Sequence, residues 1–150
     1  MHGLWPQKAD GGWPQYCVAE PKDVPKEKVA HLAPLMPSRS LVEHQWDRHG
    51  KCSGLAIDAY FRLIETAWAG IAIPDLLIRP TRATQHSVQT LKRAFQDVNP
   101  GLTPAMFFLV CTEDGLREVR ICLAKDMTFR PCAPAARDRC PVRMTLLPVW

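Results

Sequence analysis

The sequence predicts one α+β domain over residues 1–150, in which a small antiparallel sheet packs with several helices and disulfides staple the chain. The chain has 150 residues, 47% of them hydrophobic, which is enough for one ordinary core. Helical periodicity covers the middle of the chain, and two strand-like runs follow the helices instead of alternating with them. The six cysteines favour disulfides.

The helices are predicted from capping residues and apolar spacing. Residues 1–23 are rich in Trp, Pro and Gly and predict an irregular loop region packed by aromatic side chains. Ser38 or Ser40 is expected to cap the second helix and Asp58 the third, while Ser87 begins the fourth. The predicted helices span about residues 26–32, 41–50, 59–68 and 87–98.

The last third of the chain predicts extended structure. Residues 105–111 form a short apolar run suited to a buried strand, and residues 116–123 alternate well enough to be its neighbour. Residues 113–115, Glu-Asp-Gly, are typical of a hairpin turn between them. From Arg130 the chain is expected to be coil, with a last extended segment at residues 146–150.

Charge and hydropathy limit the partners. The net charge of +4 modestly favours an anionic partner such as RNA, although the basic residues Arg79, Arg82, Lys92 and Arg93 are assigned to a solvated face. No stretch approaches the roughly 20 apolar residues of a membrane span. Because the chain opens on Met1 without an export signal, we expect the natural protein to begin upstream.

The cysteine spacing favours disulfides over zinc, since no two cysteines have the C-x-x-C spacing of a metal site. Disulfides indicate an oxidising compartment, so a secreted or periplasmic location is expected. Cys111 is expected to pair with Cys122 across the hairpin, and Cys132 with Cys140 by proximity.

The densest polar cluster is Glu-His-Gln-Trp-Asp-Arg-His-Gly-Lys-Cys at 43–52. On a helix, Gln45, Arg48 and His44 fall roughly 40°, 100° and 140° from His49, so the four side chains can line one wall. Glu43, Trp46 and Asp47 lie outside that arc and are assigned as an exposed charge, a packing anchor and another exposed charge.

This wall suits the cleavage of RNA by its own 2′-hydroxyl. The reaction needs a base for the hydroxyl proton and an acid for the leaving 5′-oxygen, and histidine serves as either. Arg48 can stabilise the charge on phosphorus, His2 is the candidate second histidine, and Trp5 can stack on a base. Such a site needs no metal or organic cofactor. Single histidines are more often structural, and His31 and His86 are assigned so.

Two segments carry a family resemblance. His-Gly-Leu-Trp-Pro at 2–6 and the cluster at 43–52 resemble the two active-site segments of the ribonuclease T2 family, and the likeness continues through 53–61 and more loosely through 105–123. It implies a monomeric, cofactor-free endoribonuclease that converts single-stranded RNA to 2′,3′-cyclic phosphates and then 3′-phosphates with little base preference.

The resemblance also implies residue roles. His2 and His49 match the general acid and base, His44 a phosphate-holding histidine, and Trp5 the base-stacking aromatic. It further implies a disulfide between Cys17 and Cys52.

The chain departs from the family pattern at three points. Gln45 stands where the family usually has Glu, Arg48 where it has Lys, and only Met1 precedes the first segment, where relatives have a strand or two. The alternative to an active ribonuclease is a non-catalytic relative that binds RNA or another partner. If the protein is active, Gln45→Glu is expected to raise the rate.

Overall fold

The computed structural model describes residues 1–8, 10–78 and 81–147. The chain divides into two compact units, Met1–Gly70 and Ile71–Trp150. None of the helices among the described residues is long and apolar enough to cross a membrane.

In the first unit, the described residues form loops followed by three α-helices. Described residues before position 26 form irregular structure, as the sequence predicts. The helices are α1 (Lys26–Leu32), α2 (Arg39–Arg48) and α3 (Ile57–Ala69), and a 3₁₀ turn, Gly50–Ser53, follows α2.

The start of α2 confirms one of the two capping alternatives. Ser38 is the N-cap, and its hydroxyl accepts a hydrogen bond from the backbone N–H of Leu41. The cap predicted for α3 is wrong, because α3 begins earlier than expected, after Ala56. Asp58 instead lies in the first turn of α3, where an acidic side chain is also favourable, and forms an ion pair with Lys28 of α1.

The core of the first unit forms around Trp46, which is fully buried, as expected of a packing anchor. The Trp46 indole N–H donates to the Pro21 carbonyl (2.8 Å), and its ring packs against Tyr60. Gly50 lies so close to these two rings that a Cβ at this position would overlap both. The buried apolar residues of this core are Val24, Leu32, Met36, Val42, Trp46, Ile57, Tyr60, Phe61 and Ile64.

The described residues of the second unit form one α-helix and two antiparallel strand pairs. The helix and the hairpin were predicted, which confirms the α+β class. The regular elements are β1 (Thr84–Ser87), α4 (Val88–Val98), β2 (Phe107–Thr112), β3 (Gly115–Ile121) and β4 (Arg143–Leu146), with 3₁₀ turns at Asp75–Leu77 and Pro104–Met106.

The pair formed by β1 and β4 was not predicted. Thr84 of β1 pairs with Leu146 of β4, and Ser87 with Arg143. The predicted final extended segment therefore begins three residues earlier than expected, and residues 148–150 lie outside the described residues. The core of this unit comprises Leu91, Phe95, Leu102, Phe107, Leu109, Met144 and Leu146.

All six cysteines are paired, in part differently from the prediction. Cys17–Cys52 is confirmed, whereas the other bridges are Cys111–Cys140 and Cys122–Cys132. The hairpin register explains the correction. Cys111 pairs with Leu116 beside the turn, while Cys122 follows the last residue of β3 and bonds to Met106 at the open end, so the two lie at opposite ends of the hairpin.

One of the basic residues assigned to a solvated face is packed instead. The Lys92 ammonium, only 16% exposed as a side chain, lies 2.8 Å from the Asp138 carboxylate and over the Phe107 ring. A largely buried cation requires such a pairing. Arg82 and Arg93 are exposed, as expected, and Arg79 lies outside the described residues.

Candidate active site

The segment His2–Pro6 is held against α2 and α3 of its unit by close contacts. The buried Tyr60 hydroxyl donates to the Leu4 carbonyl (2.7 Å). Gly3 lies directly against the Gln45 side chain, and a Cβ at position 3 would overlap the carboxamide. Glycine at this position therefore lets the segment approach closely, and a larger residue would displace the Gln45 side chain.

Trp5 links three of the predicted site residues. Its indole N–H donates to Oε1 of Gln45 (2.6 Å), and its ring stacks on the His49 imidazole, with centroids 5.2 Å apart and planes 29° from parallel. The edge-on ring of His2 lies 5.5 Å from the Trp5 ring. Two imidazoles distant in sequence thus contact one indole.

The two imidazoles differ in their access to solvent. His2 is exposed, whereas His49 is 7% exposed and follows the last residue of α2, where its backbone N–H bonds to the Gln45 carbonyl (3.0 Å). Gln45 is 2% exposed. The site therefore combines a solvent-accessible imidazole with a buried imidazole that stacks on Trp5.

Arg48 lies one residue before His49, and its side chain contacts Gln15 and Tyr16 of the first loop. Its Nε donates to Oε1 of Gln15 (3.1 Å), and its guanidinium lies over the Tyr16 ring, 5.8 Å from the centroid. The backbone N–H of Tyr16 also donates to the Arg48 carbonyl (3.0 Å). The Cys17–Cys52 disulfide ties this segment to the turn after α2.

The structure brings together only part of the predicted wall. His2, Trp5, Gln45 and His49 form one contact group, whereas the His44 side chain is exposed and makes no hydrogen bond or ion pair within the described part of the chain. The helical wheel places residues by angle alone and cannot show that Gln45 is drawn inward by an indole from another segment.

Four contributors to the site were missed by sequence reasoning. The glycine in the His-Gly-Leu-Trp-Pro turn was a usable signal for Gly3, since glycine permits close approach. The sequence contains no comparable signal for Gln15, Tyr16 and Tyr60, because their contacts depend on tertiary structure.

Tyr60 is the residue near the site whose ionisation the fold shifts most clearly. Burial raises the pKa of the Tyr60 hydroxyl far above its usual range, and the hydrogen bond to the Leu4 carbonyl is a smaller opposing influence. The hydroxyl therefore stays protonated and remains a donor to the first segment.

The fold places the chain among ribonucleases of known structure. It superposes on ribonuclease MC1 from the seeds of bitter gourd with a TM-score of 0.71 and 24% identity, covering 95% of this chain and 81% of that one. A mutant of that ribonuclease in complex with 5′-GMP matches with a TM-score of 0.70 and 26% identity, over the same fractions of the two chains.

The chain belongs to the ribonuclease T2 family, whose family model matches residues 1–132. A ribonuclease of Aeromonas hydrophila is 43% identical over 63 residues, or 42% of this chain and 28% of the relative. The ribonuclease T2 protein rnst-2 of Caenorhabditis elegans is 28% identical over 88% of this chain and 54% of its own length. The chain thus spans about half or less of these two relatives.

Proposed function

We propose that the protein is an endoribonuclease that cleaves single-stranded RNA by transphosphorylation, without a metal ion, using His2 and His49. The observation that carries the proposal is the contact of both imidazoles with one indole, that of Trp5. Family membership supports the activity, and the nucleotide complex of a similar ribonuclease supports a nucleotide-binding site.

The first step needs two proton transfers. One imidazole accepts the proton of the 2′-hydroxyl as its oxygen attacks phosphorus, and the other donates a proton to the 5′-oxygen as the P–O5′ bond breaks. The products are a 2′,3′-cyclic phosphate and a free 5′-hydroxyl. Hydrolysis of the cyclic phosphate to a 3′-phosphate uses the same groups with their roles exchanged.

Arg48 and Trp5 serve binding and charge stabilisation. Arg48 is permanently charged and opposes the negative charge that grows on the non-bridging oxygens. Trp5 presents an aromatic surface for a base, although one of its faces is occupied by His49. His44, exposed beside Gln45 on α2, is available to a phosphate.

The three disulfides support a secreted or periplasmic site of action. Disulfides persist where the surroundings are oxidising, and thiols in the cytosol are kept reduced. The same cross-links suit an enzyme that meets free RNA outside the cell.

The test is cleavage of a single-stranded RNA oligonucleotide in EDTA, compared for wild type, His2→Ala and His49→Ala. We expect cleavage by the wild type with a bell-shaped pH profile, and a loss of about 10²- to 10⁴-fold in kcat in each variant. His31→Ala is the matched control, because His31 is exposed and pairs with Glu65 of α3. Its kcat should be unchanged.

The products and a DNA substrate complete the test. Phosphorus NMR should show a 2′,3′-cyclic phosphate, and the same sequence in DNA should remain intact because it has no 2′-hydroxyl. A requirement for added divalent metal, or equal cleavage of DNA, contradicts this mechanism. RNA binding without cleavage supports the non-catalytic alternative.

A further inference from the structure

We propose that Gln15 and Tyr16 are positioning residues that hold the Arg48 guanidinium so that its terminal amino groups face a phosphate of bound RNA. The inference rests on the proposed function, because it concerns how that site recognises its substrate. Neither residue was singled out by the sequence.

The contacts of the Arg48 guanidinium occupy its Nε–H and its plane, and they leave the N–H groups of the two terminal nitrogens for a ligand. The Nε–H is bonded to Gln15, and one face lies over the Tyr16 ring. Of the five N–H donors of arginine, four are on the terminal nitrogens. Within the described residues none of those four makes a hydrogen bond or an ion pair, so they can address a phosphate as a two-pronged donor.

The backbone of Tyr16 points to the same role. Its φ is +54°, in the left-handed region that residues with a Cβ rarely adopt. That conformation is fixed by the hydrogen bond from its N–H to the Arg48 carbonyl and by the disulfide at the next residue, Cys17. The chain therefore holds an unfavourable conformation in which the Tyr16 ring lies against Arg48.

Burial does not explain the position of Tyr16. The residue is 58% exposed, so its ring adds little to the core of the unit. Its ring instead lies beside the guanidinium of Arg48. The Tyr16 ring and the Gln15 amide restrict the Arg48 side chain before RNA binds. Less conformational entropy is therefore lost when the guanidinium binds a phosphate.

The chemistry distinguishes arginine from lysine at this position. Lysine carries the same charge but has neither an Nε–H for Gln15 nor a planar face for Tyr16. Gln15 and Tyr16 should therefore matter much more when residue 48 is arginine than when it is replaced by lysine, whose flexible ammonium is held less firmly by a ring and an amide.

The experiment is a double-mutant cycle on the affinity for a short 2′-deoxyoligonucleotide, which cannot be cleaved. Tyr16→Gly removes the ring and suits the positive φ, and Gln15→Leu removes the acceptor. We expect each to weaken binding about 3- to 10-fold in the wild type and by less than about 2-fold in Arg48→Lys. Trp68→Leu and Gln89→Leu are matched controls at exposed positions and should leave the affinity unchanged.

Two further readouts exclude a merely structural role. Tyr16→Gly should leave the Tm unchanged or higher, because glycine adopts the left-handed conformation freely, while kcat/KM on RNA falls with the affinity. The Nε–H signal of Arg48 in NMR, assigned by its loss in Arg48→Lys, should move to the position of an unrestrained arginine in both variants.

The outcomes separate this proposal from the proposed function. Equal losses in the wild-type and Arg48→Lys backgrounds, no loss in the wild type, or a wild type that does not bind the deoxyoligonucleotide at low salt each overturn it. If the wild type binds but cleaves no RNA, the proposed function fails, and the cycle on affinity still decides the role of Gln15 and Tyr16.

Discussion

Gln45 occupies the centre of the site as a buried amide whose oxygen accepts the Trp5 indole N–H. A glutamate keeps that acceptor and its reach while adding a negative charge that favours protonated imidazole nearby. We therefore predict that Gln45→Glu raises kcat/KM on short single-stranded RNA by at least about 10-fold. If the folded variant is no faster, the amide is adapted to this site and marks no loss of function.

Removal of the acceptor at Gln45 should have the opposite effect. Gln45→Leu has similar size but leaves the Trp5 indole N–H without this partner, and we predict a loss of about 1–3 kcal/mol in unfolding free energy. Because Trp5 stacks on His49, kcat/KM should fall as well. Urea unfolding and steady-state kinetics measure the two effects, and an unchanged rate would show that Trp5 keeps its place without Gln45.

The raised pKa of Tyr60 predicts how the free energy of unfolding depends on pH in alkaline solution. Since the folded-state pKa of Tyr60 is raised, the folded chain retains a proton that the unfolded chain releases above about pH 10. Its contribution is complete below that pH and decreases as the pH rises. Unfolding free energies of wild type and Tyr60→Phe should therefore converge above pH 10. Parallel curves for Tyr60→Phe contradict the prediction.

At the scale of elements, the Cys17–Cys52 disulfide joins the first loop to the turn after α2, over a separation of 35 residues. Cys17→Ser with Cys52→Ser should cost about 3–4 kcal/mol in unfolding free energy, and should also lower kcat/KM because Gln15 and Tyr16 lose their tether. Cys122→Ser with Cys132→Ser, over 10 residues in the other unit, should cost about 2–3 kcal/mol. Equal losses of activity in the two double variants would contradict the positional role.

The sequence predicts elements whose signals are local. The cap at Ser38, the spacing in α3 and the Glu-Asp turn between β2 and β3 are each set by neighbouring residues, and all four helices were predicted to within a few residues. The strand β1 carries no such signal, because Thr-Gln-His-Ser has no apolar alternation and pairs with β4 far along the chain.

In the candidate site, too, the sequence predicts the residues that belong to local motifs but not the contacts between residues distant in sequence. The motifs indicate His2, Trp5 and His49, which the structure brings into contact. The inward turn of Gln45 depends on a residue that is distant in sequence. Likewise, Cys111 and Cys122 were predicted as partners from their flanking positions, and only the strand register places them at opposite ends of the hairpin.

At the scale of the whole molecule, the length of the chain predicts one domain, although each of the two units has an apolar core of its own. A domain of about 150 residues usually unfolds in one transition. We therefore predict a single calorimetric transition in which Ile64→Ala in the first core and Leu109→Ala in the second both lower the same Tm, each at a cost of about 2–5 kcal/mol, since both side chains are fully buried. Near-ultraviolet circular dichroism supplies an independent probe weighted towards the first unit, because four of the five tryptophans, Trp46 included, belong to residues 1–70. If Leu109→Ala produces a second transition to which this signal is insensitive, the units unfold independently and the chain consists of two domains.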